Sequence, residues 1–322
     1  MRKLLALLGT LALLNVSAAA RAAGYPDHAI KIVVPWPPGG AVDILARPIA
    51  DRLSRMLGQP VFIENKPGAN AIIGAEAVAR AKPDGYTMLI DNLTGHAINV
   101  TLYKSLPFNL FTDFEPIGLI GSATNTLVVA PSAPVASVRD VIELAKAKPD
   151  GLTFASFGVG STAHLAGEMF DSMAGVKMVH VPYKGGVPAL MDLMGGRVFM
   201  MFATAPSVAA LIKGGKLKAI ATTGAQRSEQ SPTLPTVAES GLAGFEATTL
   251  YGAMFPAHTP PEIVERMGNA LRQIAQEPDL AQQFSQFGFD LKASSPEELT
   301  KILKEETAHW GVVVKQSGAT AQ

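Results

Sequence analysis

The 322-residue sequence contains no cysteine. This absence excludes disulfides, thiol nucleophiles and cysteine-based metal sites, so the fold must rest on a buried core, which a chain of this length can form. Charged residues are also few: they make up 17% of the chain, with 27 basic and 27 acidic side chains. Because this balance provides no basic surface, neither nucleic acid nor an anionic membrane is expected as a partner.

Long apolar runs are absent except at the N-terminus. Two basic residues precede the apolar run Leu4 to Val16, and small residues follow, an order typical of a secretory signal peptide. The run is shorter than the roughly 20 apolar residues of a membrane span. A small-x-small motif at residues 20–22 predicts a signal peptide over residues 1–22, with cleavage before Ala23 or, alternatively, before Arg21. The mature chain, with 24 basic and 27 acidic residues, is expected in the periplasm.

Strand and helix patterns alternate along the mature chain, whose length of about 300 residues is typical of two domains. The β-branched apolar run Ile30 to Pro35 precedes a Pro/Gly turn and a helix pattern from Val42 to Leu57, and further patterns complete a βαβαβ unit that ends at Ile90. A second unit begins near Leu127, and the region after Pro261 is helical. We therefore expect an α/β fold in which each unit forms a mostly parallel sheet flanked by helices.

Motifs for catalysis or cofactor binding are weak. The segment Gly158 to Ala163 fits the dinucleotide-binding pattern G-x-G-x-x-A, but the next predicted strand ends without the acidic residue that such sites require. His164 and Glu168 share a helical face, yet no third metal-ligand motif accompanies them. Asp43 with a histidine (His96 or His164) could form an acid–base pair, but no serine or cysteine nucleophile motif exists. No catalytic residue, metal site or cofactor is therefore expected.

Glycine-rich segments stand at the starts of three predicted helices. They are Pro38-Gly39-Gly40, Gly160-Ser161-Thr162 and Tyr183-Lys184-Gly185-Gly186. A helix N-terminus offers unpaired N–H groups and a partial positive charge, and it can bind an anion without any basic side chain. Each segment alone could be only a tight turn. Their occurrence in both units, after a signal peptide, favours a carboxylate that is bound between two lobes.

At these residues the sequence resembles a known family. The matching stretches include IKIVVPWPPGGAVDILARP from Ile30, LGQPVFIENKPGAN from Leu57, STAHLAGEMF from Ser161 and VPYKGGVPALMDLMGGRV from Val181. They resemble the periplasmic substrate-binding receptors of tripartite tricarboxylate transporters, also called Bug receptors. The resemblance extends over nearly all of the mature chain.

The resemblance implies a periplasmic-binding-protein (flytrap) architecture, with two α/β lobes joined by crossover strands. It places lobe 1 at residues 23–122 plus 246–322 and lobe 2 at residues 123–245. A ligand carboxylate would be held by backbone groups and waters of the loop at residues 36–40. The candidate ligand-binding residues are Trp36, Pro38, Gly39, Gly40, Asp43, Asn70, Asn92, Thr94 and His96 in lobe 1, and Ser156, Gly160, Ser161, Thr162, His164, Tyr183, Lys184, Gly185 and Ala203 in lobe 2.

The resemblance also implies the function. The protein would capture a small organic carboxylate and deliver it to the membrane subunits of a tripartite tricarboxylate-type transporter. It is expected to be monomeric and not to be an enzyme. Two alternatives stay open: a periplasmic ligand sensor for a signalling kinase, and an enzyme built on the same two-lobed frame.

Three positions depart from the commoner family pattern. Ala69-Asn70-Ala71-Ile72 stands where the family loop is usually glycine-rich, Val159 where a polar residue is frequent, and Ala203 where an aspartate is frequent. Because Ala203 cannot neutralise an ammonium group, we expect a plain organic acid, aromatic acids included, in preference to an amino acid or a highly charged tricarboxylate. Asp91 could supply the missing charge instead. Trp36 and Phe157 are the expected apolar walls of the site.

Overall fold

The computed structural model describes residues 24–228 and 231–320. The predicted signal peptide, residues 1–22, lies outside the described residues. In the described part, no helix combines the length and the apolar character that a membrane span needs.

The first unit has the predicted βαβαβ order. Its elements are β1 (Ile30–Val34), α1 (Ala41–Leu57), β2 (Val61–Asn65), α2 (Ile72–Ala79) and β3 (Thr87–Asn92). β1 pairs in parallel with β2 on one side and with β3 on the other. Helix α3 (Leu93–Leu102) follows β3 directly. The sequence pattern does not reveal α3, because nearly all of its residues are buried and no amphipathic period results.

The second unit repeats this arrangement. Its elements are β4 (Phe114–Val129), α4 (Val138–Ala147), β5 (Thr153–Ser156), α5 (Thr162–Ala174), β6 (Val179–Pro182), α6 (Gly186–Met194), β7 (Met200–Thr204), α7 (Ala205–Lys213) and β8 (Lys218–Thr222). β5 pairs in parallel with both β6 and β7. At the start of α4, Asp140 N donates to Ser137 Oγ at 3.1 Å and Ser137 N donates to Asp140 Oδ2 at 3.0 Å, which forms the capping box expected there.

The C-terminal region returns to the first unit. Its elements are β9 (Thr248–Pro256), α8 (Pro261–Ala275), α9 (Pro278–Gln286), β10 (Phe289–Leu291) and α10 (Pro296–Ser317). Helix α8 begins at the predicted Pro261, and Ser295 forms the predicted capping box with Glu298 at the start of α10. Helix α10 ends at Ser317, about one turn beyond the predicted end at Val314.

Strand β4 connects the two units. Its first part, as far as Thr124, pairs antiparallel with β9, and its second part, from Asn125, pairs antiparallel with β7. β9 also pairs antiparallel with β3, so the strand order is β2-β1-β3-β9-β4-β7-β5-β6. The parallel strands of both units are therefore joined by two long antiparallel strands.

Glycines make the long pairing of β4 possible. A Cβ atom at Gly121 would lie 2.4 Å from the backbone oxygen of Asp290, and one at Gly118 would lie 2.6 Å from that of Ser294. β10 pairs antiparallel with β4 as far as Gly121, so the two backbones approach each other closely. The same glycines interrupt the apolar pattern, and only Leu127 to Val129 of this strand is predictable from the sequence.

The hydrophobic core is divided between the units, and α10 packs against both. Leu299 and Leu303 lie in a buried cluster with Val33 of β1. Trp310, two turns further along the helix, lies in a different cluster with Phe154 of β5. Helix α10 thus links the core of the first unit to that of the second.

Candidate functional site

Two adjoining pockets lie beyond the carboxyl ends of the parallel strands, where open α/β sheets bind ligands. The inner pocket is lined by Trp36, Pro37, Gly40, Ala41, Val42, Asn92, Phe157, Gly186, Val187, Thr204, Ser207 and Tyr251. The outer pocket is lined by Trp36, Pro37, Pro67, Gly68, Ala69, Asn70, Ala71, Tyr103, Phe157, Gly158, Val159, Tyr183, Lys184 and Gly185. Both units contribute to each pocket.

The two pockets differ in size. Measured as the space open to the centre of a water molecule, the inner pocket has a volume of about 40 Å³ and the outer pocket about 520 Å³. The inner pocket therefore holds about three water molecules or a chemical group of similar size. The outer pocket has room for the body of a small molecule.

Three helices begin at the inner pocket. Helix α1 follows Gly40, α6 follows Gly185 and α7 follows Thr204, and none of these three cap residues accepts a hydrogen bond through its side chain. By contrast, α3 and α5 are capped by the side chains of Asn92 and Ser161. The first-turn N–H groups of α1, α6 and α7 therefore lack the usual side-chain acceptor, and each helix end adds a partial positive charge.

Charged side chains are nearly absent from the pocket walls. Of the described residues that line the two pockets, only Lys184 is charged, and it stands in the outer pocket. No acidic residue of segments 24–228 and 231–320 belongs to either lining. The helix ends and Lys184 thus favour an anion, whereas an ammonium group would find no opposite charge in the walls.

Trp36, which lines both pockets, is held in place by Asp91. Its Nε1 donates to Asp91 Oδ1 at 2.5 Å, and Asn92 N donates to the same oxygen at 2.6 Å. The other carboxylate oxygen, Oδ2, lies 2.6 Å from Nε2 of His96. Asp91 and His96 are 0% and 2% exposed. The predicted site residue His96 thus does not line the pockets. It contacts Asp91, which in turn orients the Trp36 indole.

Asp43 holds the loop that precedes α1. Its Oδ2 accepts from Gly39 N at 2.9 Å and from Arg47 Nε at 2.8 Å, and its Oδ1 accepts from Asn65 Nδ2 at 3.0 Å. Burial opposes ionisation, but these hydrogen bonds outweigh it and hold the pKa of Asp43 below its usual value. Because Gly39 N is occupied by Asp43, the donors left at this loop are the first-turn N–H groups of α1, which follow Gly40.

Asn70 lies in a run of left-handed residues beside the outer pocket. Ala69, Asn70 and Ala71 have φ angles of 46°, 50° and 72°. The Asn70 side chain donates to Asn99 Oδ1 at 3.0 Å. A Cβ atom at Gly160, in the second unit, would lie 3.0 Å from both of these side chains. Gly160 therefore brings the two units into close contact without lining a pocket.

Ser161 caps helix α5 and holds the preceding loop. Its Oγ accepts from His164 N at 3.3 Å and donates to Gly158 O at 2.7 Å. His164 Nδ1 accepts from Gly160 N at 3.2 Å. These two buried side chains therefore stabilise the loop at Gly158 to Gly160 by hydrogen bonds to its backbone.

A stack of aromatic rings supports the same loop. His180 stacks on His164 with ring centroids 4.0 Å apart and on Phe154 with centroids 4.9 Å apart. Its Nε2 lies 2.6 Å from Ser156 Oγ. Burial and the neighbouring His164 lower the pKa of His180 to about 3, so this ring is neutral at physiological pH.

Thr94 and Thr162 fasten their helices to β9. Thr94 Oγ1 accepts from Leu250 N at 3.0 Å, and Thr162 Oγ1 accepts from Thr249 Oγ1 at 3.2 Å. Both threonines are buried. They position α3 and α5 against the connecting strand.

The loops of the two units touch at the mouth of the site. A Cβ atom at Gly185 would lie 3.1 Å from Pro37 Cγ. In the same loop, Tyr183 donates through its hydroxyl to Asp192 Oδ2 at 2.7 Å, which fixes the ring beside Lys184. Gly185 has a φ of 109°, a conformation that favours glycine and allows this close approach.

The structure divides the predicted site residues into two groups. Trp36, Gly40 and Asn92 line the inner pocket, and Trp36, Asn70, Tyr183, Lys184 and Gly185 line the outer pocket. The remaining ones are outside both linings: Pro38, Gly39, Asp43, Thr94, His96, Ser156, Gly160, Ser161, Thr162, His164 and Ala203. Ala203 is fully buried in a cluster with Val128, directly before the pocket residue Thr204. Within this second group, Asp43, Ser161 and His164 hold the loops next to the pockets through hydrogen bonds.

Three polar residues of the inner pocket are missing from the sequence prediction: Thr204, Ser207 and Tyr251. Thr204 and Ser207 flank Pro206 at the start of α7, and this Thr-x-Pro-Ser order is a helix-start signal that could have indicated them. Tyr251 lies on β9, which has no clear strand signal in the sequence. It is 1% exposed, and within residues 24–228 and 231–320 its hydroxyl has no hydrogen-bond partner.

Among the described residues, the pair His164 and Glu168 does not form part of a larger metal-ligand set. Nε2 of His164 lies 3.5 Å from Oε1 of Glu168. The described residues contain no cluster of three or more histidine and acidic side chains that could hold a metal ion.

Comparisons with known proteins identify related chains. A family model described as "Tripartite tricarboxylate transporter family receptor" matches residues 45–319. Protein BugT of Bordetella pertussis is 33% identical over 321 residues, which cover 99% of this chain and 98% of BugT. The structure of R. palustris Rpa4515 with adipate has a TM-score of 0.90 and 35% identity, and covers 92% of this chain and 99% of that chain. The structure of the periplasmic binding protein BugD has a TM-score of 0.88 and 34% identity, with 92% and 100% coverage.

Proposed function

Because the chain belongs to the receptor family of tripartite tricarboxylate transporters, we propose that it binds a small organic carboxylate in the inner and outer pockets and delivers it to the membrane subunits of such a transporter. The chain is a solute-binding receptor with the two-lobed α/β fold of periplasmic binding proteins. Under this proposal, residues 23–122 plus 246–322 form one lobe and residues 123–245 the other. The contact between Pro37 and Gly185 then closes the site over the ligand.

One observation carries the proposal: three helix N-termini without side-chain caps meet at the inner pocket. Their first-turn N–H groups can surround a carboxylate, and their combined partial charges stabilise it. The inner pocket is also of the right size for a carboxylate, since it holds about three water molecules.

The walls favour an acid without an ammonium group. No described acidic side chain lines either pocket, and the buried carboxylate of Asp91, beside Trp36, already accepts hydrogen bonds from Trp36 and Asn92. Trp36 and Phe157, which line both pockets, provide apolar surface for the body of the ligand. Rpa4515 of R. palustris is similar to this chain and was solved with adipate, a plain dicarboxylate, so the same ligand class is proposed here.

We propose that the receptor performs no catalysis and needs no cofactor. The two buried carboxylates near the site are engaged within the protein. Asp43 is bound to Arg47 and Gly39, and Asp91 to Trp36. Their role in this proposal is to hold the pocket walls in position.

The location and assembly of the protein follow from the same proposal. The predicted signal peptide and the similarity to the periplasmic binding protein BugD support a periplasmic location. We propose that the receptor is monomeric and that its partners are the ligand and the transporter subunits. The near balance of acidic and basic residues argues against nucleic acid as a partner.

A thermal-shift screen of the mature protein against mono-, di- and tricarboxylates tests the proposal. A ligand at 100 times its dissociation constant raises the free energy of unfolding by about 2.7 kcal/mol. We expect at least one plain carboxylate to stabilise the protein and to be recovered unchanged after incubation. The proposal fails if no carboxylate raises the melting temperature, or if the stabilising compound is consumed.

A further inference from the structure

Tyr251 carries a buried hydroxyl that the fold itself does not use. The residue is 1% exposed and lines the inner pocket. In the described part of the chain, its oxygen has no hydrogen-bond partner, and the side chain of Thr204 is a close polar neighbour. Unpaired buried hydroxyls are costly and uncommon in folded proteins, so this one calls for a partner that the protein alone does not supply.

The other two hydroxyls of the inner pocket have their protons engaged. Ser207 Oγ donates to the backbone oxygen of Thr204 at 2.7 Å. Thr204 Oγ1 lies 2.9 Å from Ser207 Oγ and therefore donates to it, because the serine proton is already used. Tyr251 is thus the hydroxyl of this lining whose proton is free for a ligand.

The surroundings keep Tyr251 a hydrogen-bond donor. Burial raises the pKa of its hydroxyl above the usual value. The Thr204 side chain acts against this and the negative charge of Asp91 adds to it, and burial outweighs the effect of Thr204. The ring is fixed by an edge-to-face contact with Phe289, whose centroid is 5.2 Å away. A neutral phenol in a fixed position can donate to an oxygen atom, and the converging helix ends favour an oxygen that carries negative charge.

We infer that the Tyr251 hydroxyl donates a hydrogen bond to the ligand carboxylate in the inner pocket and selects for that group at this position. The inference rests on the proposed function and names the side chain that completes the site. The helix N–H groups supply charge stabilisation, and the phenol supplies one directed donor on the β9 side of the pocket. A ligand that places an apolar or cationic group here leaves the phenol unpaired.

The test is calorimetric titration of the mature protein and of Tyr251→Phe with linear dicarboxylates from succinate to suberate. The substitution keeps the ring and removes only the hydroxyl. We expect Tyr251→Phe to bind the best dicarboxylate about tenfold more weakly, which corresponds to about 1.4 kcal/mol. Its melting temperature without ligand should be unchanged or higher, because an unpaired buried group has been removed.

Tyr86→Phe is the matched control. It removes the same atom from a tyrosine outside both pockets, whose hydroxyl donates to Asp27 Oδ1 at 2.8 Å. Its affinity should equal that of the unchanged protein. If carboxylates bind and Tyr251→Phe binds them as tightly as the unchanged protein, the role of Tyr251 is refuted while the receptor function stands. If no carboxylate binds the unchanged protein, both proposals fall.

Discussion

Trp36 and Asp91 are joined by a hydrogen bond of 2.5 Å from the indole Nε1 to the carboxylate Oδ1. This bond connects a wall of both pockets to a fully buried charge on β3. The chain contains a second tryptophan, Trp310, whose Nε1 donates to Glu306 Oε2 at 3.0 Å outside the pockets. Each tryptophan thus donates to a carboxylate, but only Trp36 lines the site, so Trp310 can serve as a control.

We predict that Trp36→Phe lowers both stability and ligand affinity. Removing one donor from a buried carboxylate should cost about 1.5–3 kcal/mol of unfolding free energy. The freed aromatic ring no longer has a fixed orientation in the pocket wall, so the affinity for a carboxylate should fall on the order of tenfold. Denaturant unfolding and calorimetry measure the two effects. Trp310→Phe should lower stability but leave ligand affinity unchanged. Equal affinity losses in the two variants would contradict the role of Asp91 in orienting Trp36.

We predict that a substitution at Ala69, in the segment of left-handed backbone beside the outer pocket, stabilises the protein. Ala69 is exposed and has a φ of 46°, a conformation that disfavours residues with a Cβ atom. Ala69→Gly should raise the unfolding free energy by about 0.5–1 kcal/mol, because the relief of left-handed strain outweighs the entropy that glycine adds to the unfolded chain. Denaturant unfolding measures the change. In helix α9, Ala281→Gly should have the opposite sign, with a loss of about 1 kcal/mol. A loss of stability in Ala69→Gly would show that this conformation is not strained.

Lys184 should contribute little to binding. It is the one charged side chain among the described pocket residues, but it is exposed, and exposed charge pairs contribute about 0–1 kcal/mol. Lys184→Met should weaken carboxylate binding by less than about fivefold, and Lys177→Met, outside the pockets, should leave it unchanged. Calorimetry at low and moderate salt measures both. Complete loss of binding in Lys184→Met would mean that a salt bridge, and not the helix ends, holds the anion.

We predict that the stability of the protein depends on pH through the carboxyl group of Asp171. Burial raises the pKa of its carboxyl to about 6, above the value of 3.8 that applies to the unfolded chain. The folded state therefore binds the proton more tightly, and the resulting stabilisation is complete below pH 3.8 and is lost as the pH rises through 6. Asp171→Asn, which carries no charge, should be more stable than the unchanged protein at pH 7. This advantage should shrink toward pH 4 in melting curves, and an advantage that does not change with pH would refute the assignment.

The sequence predicts the parallel parts of the fold because their signals are local. The run Ile30 to Val34 ends at a Pro/Gly turn, and the capping boxes at Ser137 and Ser295 mark helix starts correctly. By contrast, β9 and most of β4 depend on pairing with distant strands. Gly118 and Gly121 interrupt the apolar pattern of β4, and only the close approach of the β10 segment explains them.

The same distinction applies to the site. Trp36 and Gly40 belong to a turn before a helix, which the sequence reveals, and both line the inner pocket. Tyr251 reaches this pocket through the antiparallel register that pairs it with Asn92, and no local pattern encodes that register. Asp43 and His164 are chemically conspicuous in the sequence, yet in the structure they hold loops, because each finds its hydrogen-bond partner a few residues away.

Calorimetry with succinate and aspartate tests the central claim most directly. The two acids have the same carbon skeleton and differ by one ammonium group, and the described pocket walls offer positive helix ends but no acidic side chain. The account predicts that the receptor binds succinate, or a longer plain dicarboxylate, and binds the corresponding amino acid at least about tenfold more weakly. Tight binding of aspartate or glutamate, with no response to unsubstituted dicarboxylates, would contradict it.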